Sequence, residues 1–174
     1  EKPLARTSSQ AQEIAEAAAN SKGMLMPAMC LRFWPEWAWV KNAIEDGRFG
    51  KVLNARFRRV GEPPAWGQSS FLDGEKSGGA LLDLHIHDAD FVQYLFGMPQ
   101  AVSSNGFMER GQMVQYLDTH YYYDGRPLAI GAEGGWLSQS SCPFEHGYDV
   151  YFDDATIKYN FSWGESPILL SKDG

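Results

Sequence analysis

Residues 78–97 constrain this chain more than any other stretch. They carry apolar side chains at helical spacing, and Gly97-Met98-Pro99 supplies a stop behind them. The stretch reads as one helix. At about 100° per residue, Leu81, Leu84, Phe91, Val92 and Leu95 share a side that Leu82, Ile86, Ala89 and Phe96 widen into a broad arc, leaving Asp83, His87, Asp90 and Tyr94 as a polar strip. A helix this apolar is mostly buried, so the strip faces a cleft or a satisfied polar contact. Asp88 falls inside the arc and requires a partner in the fold.

Asp83 and His87 are i and i+4 neighbours, close enough for the carboxylate to bear on the imidazole or for both to meet one ligand. Spacing leaves two readings open. One is a buried histidine held by a helix neighbour; the other is a general acid/base with its orienting carboxylate, since an imidazole titrates near neutrality.

Composition narrows the classes. A chain of 174 residues suffices for one sizeable core, and 44% hydrophobic, 14% aromatic and 21% charged residues describe an ordered, aromatic-rich protein. Residues 1–174 are therefore expected to form a single unit. The net charge of -7 argues against nucleic acid and anionic membrane as partners and leaves small molecules open. No run approaches the roughly 18 apolar residues of a membrane span, so the expectation is a soluble protein, cytoplasmic by default. Cys30 and Cys142 form neither a metal pair nor a disulfide framework, which favours a reducing compartment. Both ends read as cut rather than natural, so the sequence is treated as a fragment.

Taken in order, Thr7-Ser8-Ser9 offers hydroxyl caps to an Ala/Glu-rich helix over residues 11–20 that Gly23 closes. Residues 24–31 read as a short strand delivering Arg32-Phe33. Pro35 opens a second helix to about Asp46, broken at Gly47. Trp34, Trp37 and Trp39 read as packing. Residues 49–60 approximate alternation, with Val52, Asn54, Arg56 and Arg58 opposed to Leu53, Ala55, Phe57 and Arg59, a half-buried strand whose arginines suit a solvated face or ion pairs. Residues 61–77 read as loop, and Trp66 within it suits either stacking on a ring-shaped ligand or anchoring the loop.

Later segments are strand-like. Residues 112–123 and 127–137 flank the turn signal Asp124-Gly125-Arg126, and residues 147–152 and 156–163 flank Asp153-Asp154-Ala155. Adding residues 100–109 gives a meander of about five strands after the earlier one. Helices early and strands late predict an α+β class with an antiparallel sheet. There is no Gly-x-Gly-x-x-Gly and no Gly-x-x-x-x-Gly-Lys-Ser/Thr, so a dinucleotide or triphosphate is not cradled here by those loops.

Asp83-Leu84-His85-Ile86-His87 also matches the Asp-x-His-x-His pattern of metal-dependent hydrolases, with His120 and His146 as further potential ligands. On a helix, residues i and i+2 lie about 200° apart and cannot share an ion, so no metal site is expected.

Glu1-Lys2-Pro3, Arg32-Phe33 with Pro35, Gly47-Arg48-Phe49-Gly50, and Gly78-Gly79-Ala80-Leu81-Leu82-Asp83 through His87-Asp88-Ala89-Asp90 together resemble the glucose-fructose oxidoreductase and inositol dehydrogenase group, often called Gfo/Idh/MocA. The likeness covers most of the chain to about residue 100. It implies a C-terminal α+β domain with an open, predominantly antiparallel sheet that mediates homo-oligomerisation, with helices on one face. The Rossmann domain that binds NAD or NADP in such proteins is absent here.

The resemblance implies that Lys2, in the Glu1-Lys2-Pro3 junction, reaches substrate and nicotinamide, that Asp83 and His87 complete the proton-transfer site, and that Arg32 and Trp66 meet a carbohydrate-like substrate. His87 takes the hydroxyl proton as hydride leaves, Asp83 orients it, and Lys2 stabilises the alkoxide. The implied function is the substrate domain of an NAD(P)-dependent sugar or polyol oxidoreductase. A non-catalytic oligomerisation or ligand-binding module of the same fold is the alternative. Cys30 stands where the family often has asparagine, and His85 where it often has a small residue.

Overall fold

A computed structural model describes residues 1–63, 65–67, 73–109, 113–125, 128–137, 142–164 and 166–172. Thr7 caps helix α1, Ser8–Ala19, through a reciprocal capping box with Gln10. Pro35, pre-set for a first turn, opens α2, Pro35–Glu45. The alternating stretch becomes β1, Val52–Gly61. The region read as one helix begins with a wide turn of i→i+5 geometry, Leu81–His85, and continues as α3, Ile86–Phe96. The strands β2, Ala101–Glu109, β3, Met113–Tyr122, β4, Ala129–Trp136, β5, Glu145–Phe152, β6, Ala155–Asn160, and β7, Ile168–Ser171, complete a seven-stranded sheet.

The strand order is β2-β3-β4-β1-β5-β6-β7. Thus β1 lies in the middle, parallel to β4 and antiparallel to β5, while every other pairing is antiparallel. The expected α+β class with a predominantly antiparallel sheet holds. The meander, however, is split into two halves by the earliest strand.

One face of the sheet carries the core. Ala55 and Phe57 of β1, Tyr148 and Val150 of β5 and Ile130 of β4 pack against Trp37 and Val40 of α2 and Phe91 and Val92 of α3. Trp37 is fully buried and meets Phe91 edge-on with ring centroids 4.9 Å apart. The opposite face is charged. There Arg58 bonds Glu133 and Glu145, Tyr116 donates to Glu133, and Lys158 pairs with Asp149.

Three expectations are corrected. Residues 24–31 are not a strand: Pro27 lacks an amide donor, Met24 and Met26 are exposed, and the segment ends in a tight helical turn, Cys30–Phe33. The loop over residues 61–77 contains a short turn, Ala65–Gly67, and a helical turn, Gly74–Ser77, which Asp73 caps through the amides of Glu75 and Lys76; residues 64 and 68–72 lie outside the described set. The wide turn rephases the apolar arc, so Leu81 is exposed while His85 is buried.

Candidate active site

Gly79 sets the approach to the wide turn. Its φ is +68°, and a Cβ there would lie 2.7 Å from the Val114 carbonyl oxygen, so only glycine brings this backbone so close to β3. The turn then presents Asp83, half-buried, toward the amino-terminal segment.

Lys2 meets it. The Lys2 ammonium donates to Asp83 Oδ1 at 2.9 Å and also to the Asp83 main-chain carbonyl. An ammonium has three donors, so one direction stays open after both bonds. Lys2 and Asp83 both line a cavity of about 350 Å³, together with Arg6, Lys76 and Ser77. Glu1 is exposed, and its carbonyl accepts from the Ala28 amide at 3.4 Å, tying the first residues to the segment before α2.

His87 follows one turn after Asp83. Burial, then the positive charges of Arg59 and Lys2 and the neighbouring His146, push its imidazole down to about 3, so it is neutral at physiological pH. Its Nδ1 is buried without a hydrogen-bond partner among the described residues. The Asp83 carboxylate bonds Lys2 rather than His87, so the expected orienting bond within the pair is replaced by a bond to the lysine.

Beneath His87 lies an ion pair. Arg59 donates to Asp88 Oδ2 at 2.9 Å, and both side chains are buried. Asp88 thus has the partner its place in the apolar arc required. Removing one member of such a pair typically costs about 3–5 kcal/mol, because the other charge is left buried alone. Arg59 also lies over the Trp37 ring, 5.7 Å from its centroid.

The remaining candidates are dispersed. Arg32 is gripped by Asp90, Nε to Oδ2 at 2.9 Å and Nη2 to Oδ1 at 2.5 Å, and lies over Tyr94, so its guanidinium ties the 30–33 turn to α3. Asp90 raises its pKa through that hydrogen bond. Trp66 is 84% exposed on its short turn. His85 packs with its Nε2 3.5 Å from the Tyr121 hydroxyl, and burial lowers its pKa. His120 sits on the charged face 3.4 Å from Asp118, and His146 lies among aromatic rings. Among the described residues no three His, Cys, Asp or Glu side chains gather as a metal-binding group.

A model of the GFO/IDH/MocA C-terminal domain matches residues 37–158, more than half of the chain. The chain belongs to that family. The chain is 29% identical over 155 residues to a scyllo-inositol 2-dehydrogenase (NAD(+)) of Bacillus subtilis (strain 168), covering 84% of this chain and 42% of the relative. It is 29% identical over 134 residues to a trans-1,2-dihydrobenzene-1,2-diol dehydrogenase of Xenopus laevis, covering 75% and 39%. The chain spans less than half the length of these relatives. A levoglucosan dehydrogenase solved with NADH and levoglucosan shares the fold, with a TM-score of 0.83 at 21% identity over 99% of this chain and 50% of that one. No described helix is long and apolar enough to cross a membrane.

Two neighbours of His87, Arg59 and His146, were not assigned to its surroundings from the sequence. Arg59 was legible as a charge in phase with Ala55 and Phe57, a signal that it points inward. His146 carried no local signal, because its proximity to His87 arises from the pairing of β5 with β1 opposite Arg59.

Proposed function

We propose that this chain is the substrate-facing domain of an NAD(P)-dependent oxidoreductase that moves hydride between a secondary hydroxyl of a sugar, polyol or related compound and nicotinamide. The observation that carries the reading is the Lys2–Asp83 pair at the mouth of a cavity, one helical turn from a neutral His87.

These residues suit the reacting end of a dinucleotide and not its phosphates, since no glycine-rich phosphate turn occurs in this sequence. Nicotinamide, when bound, supplies the hydride acceptor. The Lys2 ammonium, with one donor left over, holds the substrate oxygen and stabilises negative charge as it develops there. Asp83 fixes that ammonium in place through a carboxylate and a carbonyl. The neutral His87 accepts the hydroxyl proton at a ring nitrogen.

The test is NAD(P)H formation by the intact protein that carries this chain, assayed with a panel of cyclic polyols and sugars. His87→Ala should lower kcat/KM by roughly 10² to 10⁴ while the dinucleotide Kd changes little. Wild-type turnover in that variant removes His87 from the chemistry. Ligand binding with no oxidation by the parent protein favours the binding-module alternative.

Self-association belongs to the same reading and uses the helix-free face of the sheet. Charged side chains line a depression of about 550 Å³ there, including Arg56, Arg58, Glu133 and Glu145, and Val102, Phe107 and Met108 stand exposed on β2. Light scattering should report a dimer or higher oligomer that Arg58→Glu shifts toward monomer; an unchanged mass would move the contact elsewhere.

A further inference from the structure

A second imidazole beside His87 has no part in the proton transfer just described. His146 stands opposite Arg59 in the β1–β5 register, and Arg59 reaches Asp88, the residue after His87, so the two histidines flank one guanidinium. His146 is only 5% exposed. Its Nδ1 is buried with no hydrogen-bond partner among the described residues. A buried polar ring without a partner is a standing cost that a ligand hydroxyl would remove.

Aromatic rings enclose it. Phe161 stacks on it at 4.9 Å with 15° between planes, Trp34 lies at 5.1 Å and Phe144 at 6.0 Å. These three keep 53%, 36% and 41% of their surface exposed and form an outward-facing apolar side, while the buried Trp37 at 6.1 Å and Tyr159 at 5.9 Å close the core side of the ring. Flat apolar surface around one unsatisfied nitrogen suits a molecule with C–H bonds on its face and hydroxyls at its rim, which describes the ring of a cyclic polyol or pyranose.

We infer that His146, framed by Trp34, Phe144 and Phe161, recognises the hydroxyl next to the one that is oxidised, with the substrate ring stacked on the aromatic wall. The assignment rests on the oxidoreductase reading for the place of the reacting hydroxyl at His87. Burial and the nearby Arg59 push the His146 imidazole down to about 4, so at neutral pH it offers an uncharged hydrogen bond suited to a hydroxyl rather than to an anion. The preferred substrates are therefore cyclic vicinal diols over single alcohols.

Two measurements test this. In the intact protein, the ratio of kcat/KM for trans-1,2-cyclohexanediol to that for cyclohexanol should fall about tenfold in His146→Phe, which keeps the packing, and recover in part in His146→Gln. An unchanged ratio overturns the assignment. In the intact wild-type protein, titration with the diol should move the His146 ring ¹⁵N resonances and quench tryptophan emission, with both effects weaker for cyclohexanol. Resonances that stay still at saturating diol overturn recognition even if oxidation is observed. Shifts without any oxidation uphold His146 and instead defeat the oxidoreductase reading.

Discussion

Helices α1 and α3 are nearly equal in length, 12 and 11 residues, yet they are held by opposite means. The first has everything local sequence can offer: a reciprocal capping box, a run of alanines and a Gln12–Glu16 side-chain bond at 2.8 Å. It buries no residue. The second lacks a side-chain cap and starts from a wide turn, but it sinks Asp88, Phe91 and Val92 into the protein. Local preference can nominate a helix, whereas tertiary burial decides what the helix contributes to stability. The proposed proton acceptor, His87, sits on the helix that the rest of the fold holds in place.

The largest contrast comes from truncating one apolar side chain on each helix. Phe91→Ala should destabilise the protein by about 3–5 kcal/mol, while Ile14→Ala on α1 should stay within about 0.5 kcal/mol, both read from urea unfolding. Comparable losses would mean that α1 is bound to the core after all.

Acidification should come next and should act on the buried histidines, one of which, His87, lies on α3 while α1 carries none. His87 and His146 are held near 3 and 4 in the fold, below the ordinary 6.5, so the unfolded chain binds more protons across that window. Stability then rises with pH up to about 6.5 and is lost as pH falls below it, by up to about 1.4 kcal/mol per pH unit for each neutral imidazole. Unfolding midpoints at pH 7, 6 and 5 should show this slope, and the double variant His87→Gln with His146→Phe should flatten it. An equal slope in the double variant would assign the acid sensitivity elsewhere.

The smallest effect sharpens the contrast further. Thr7→Ala removes a cap worth about 1 kcal/mol locally, yet because α1 is not docked it should fray that helix with little change in the global midpoint. Amide exchange in residues 8–19 would quicken while exchange in β1 stays constant. A global shift equal to the local one would contradict the separation.

Much of this was legible in the sequence for specific reasons. The alternation over residues 52–59 announced a half-buried strand but put its arginines on a solvated face or in ion pairs, whereas Arg59 is buried; Asp88 in an apolar arc did announce a buried partner, and the two form the ion pair beneath His87. Thr7 and Pro35 marked helix starts that the fold uses. What stayed hidden depends on contacts between distant residues. A wide turn has no distinct hydrophobic period, so the exposure of Leu81 and the burial of His85 were not readable. The choice of Asp83 to bond Lys2 rather than His87 needs residues far apart in sequence to meet. The same holds for the slot of β1 between β4 and β5, since strand signals carry no order across a sheet.

That slot governs how the molecule can be assembled. The strand made earliest, Val52–Gly61, pairs along one edge with residues 129–136 and along the other with residues 145–152, so it waits for more than sixty later residues before its first neighbour exists. Folding should therefore be slow for its size and dominated by distant pairings, with Phe57 and Val60 exposed to nascent-chain chaperones meanwhile. A break in the polypeptide between β4 and β5 would leave either three strands plus the hub or three strands alone, and only their reunion around residue 57 would restore a continuous sheet.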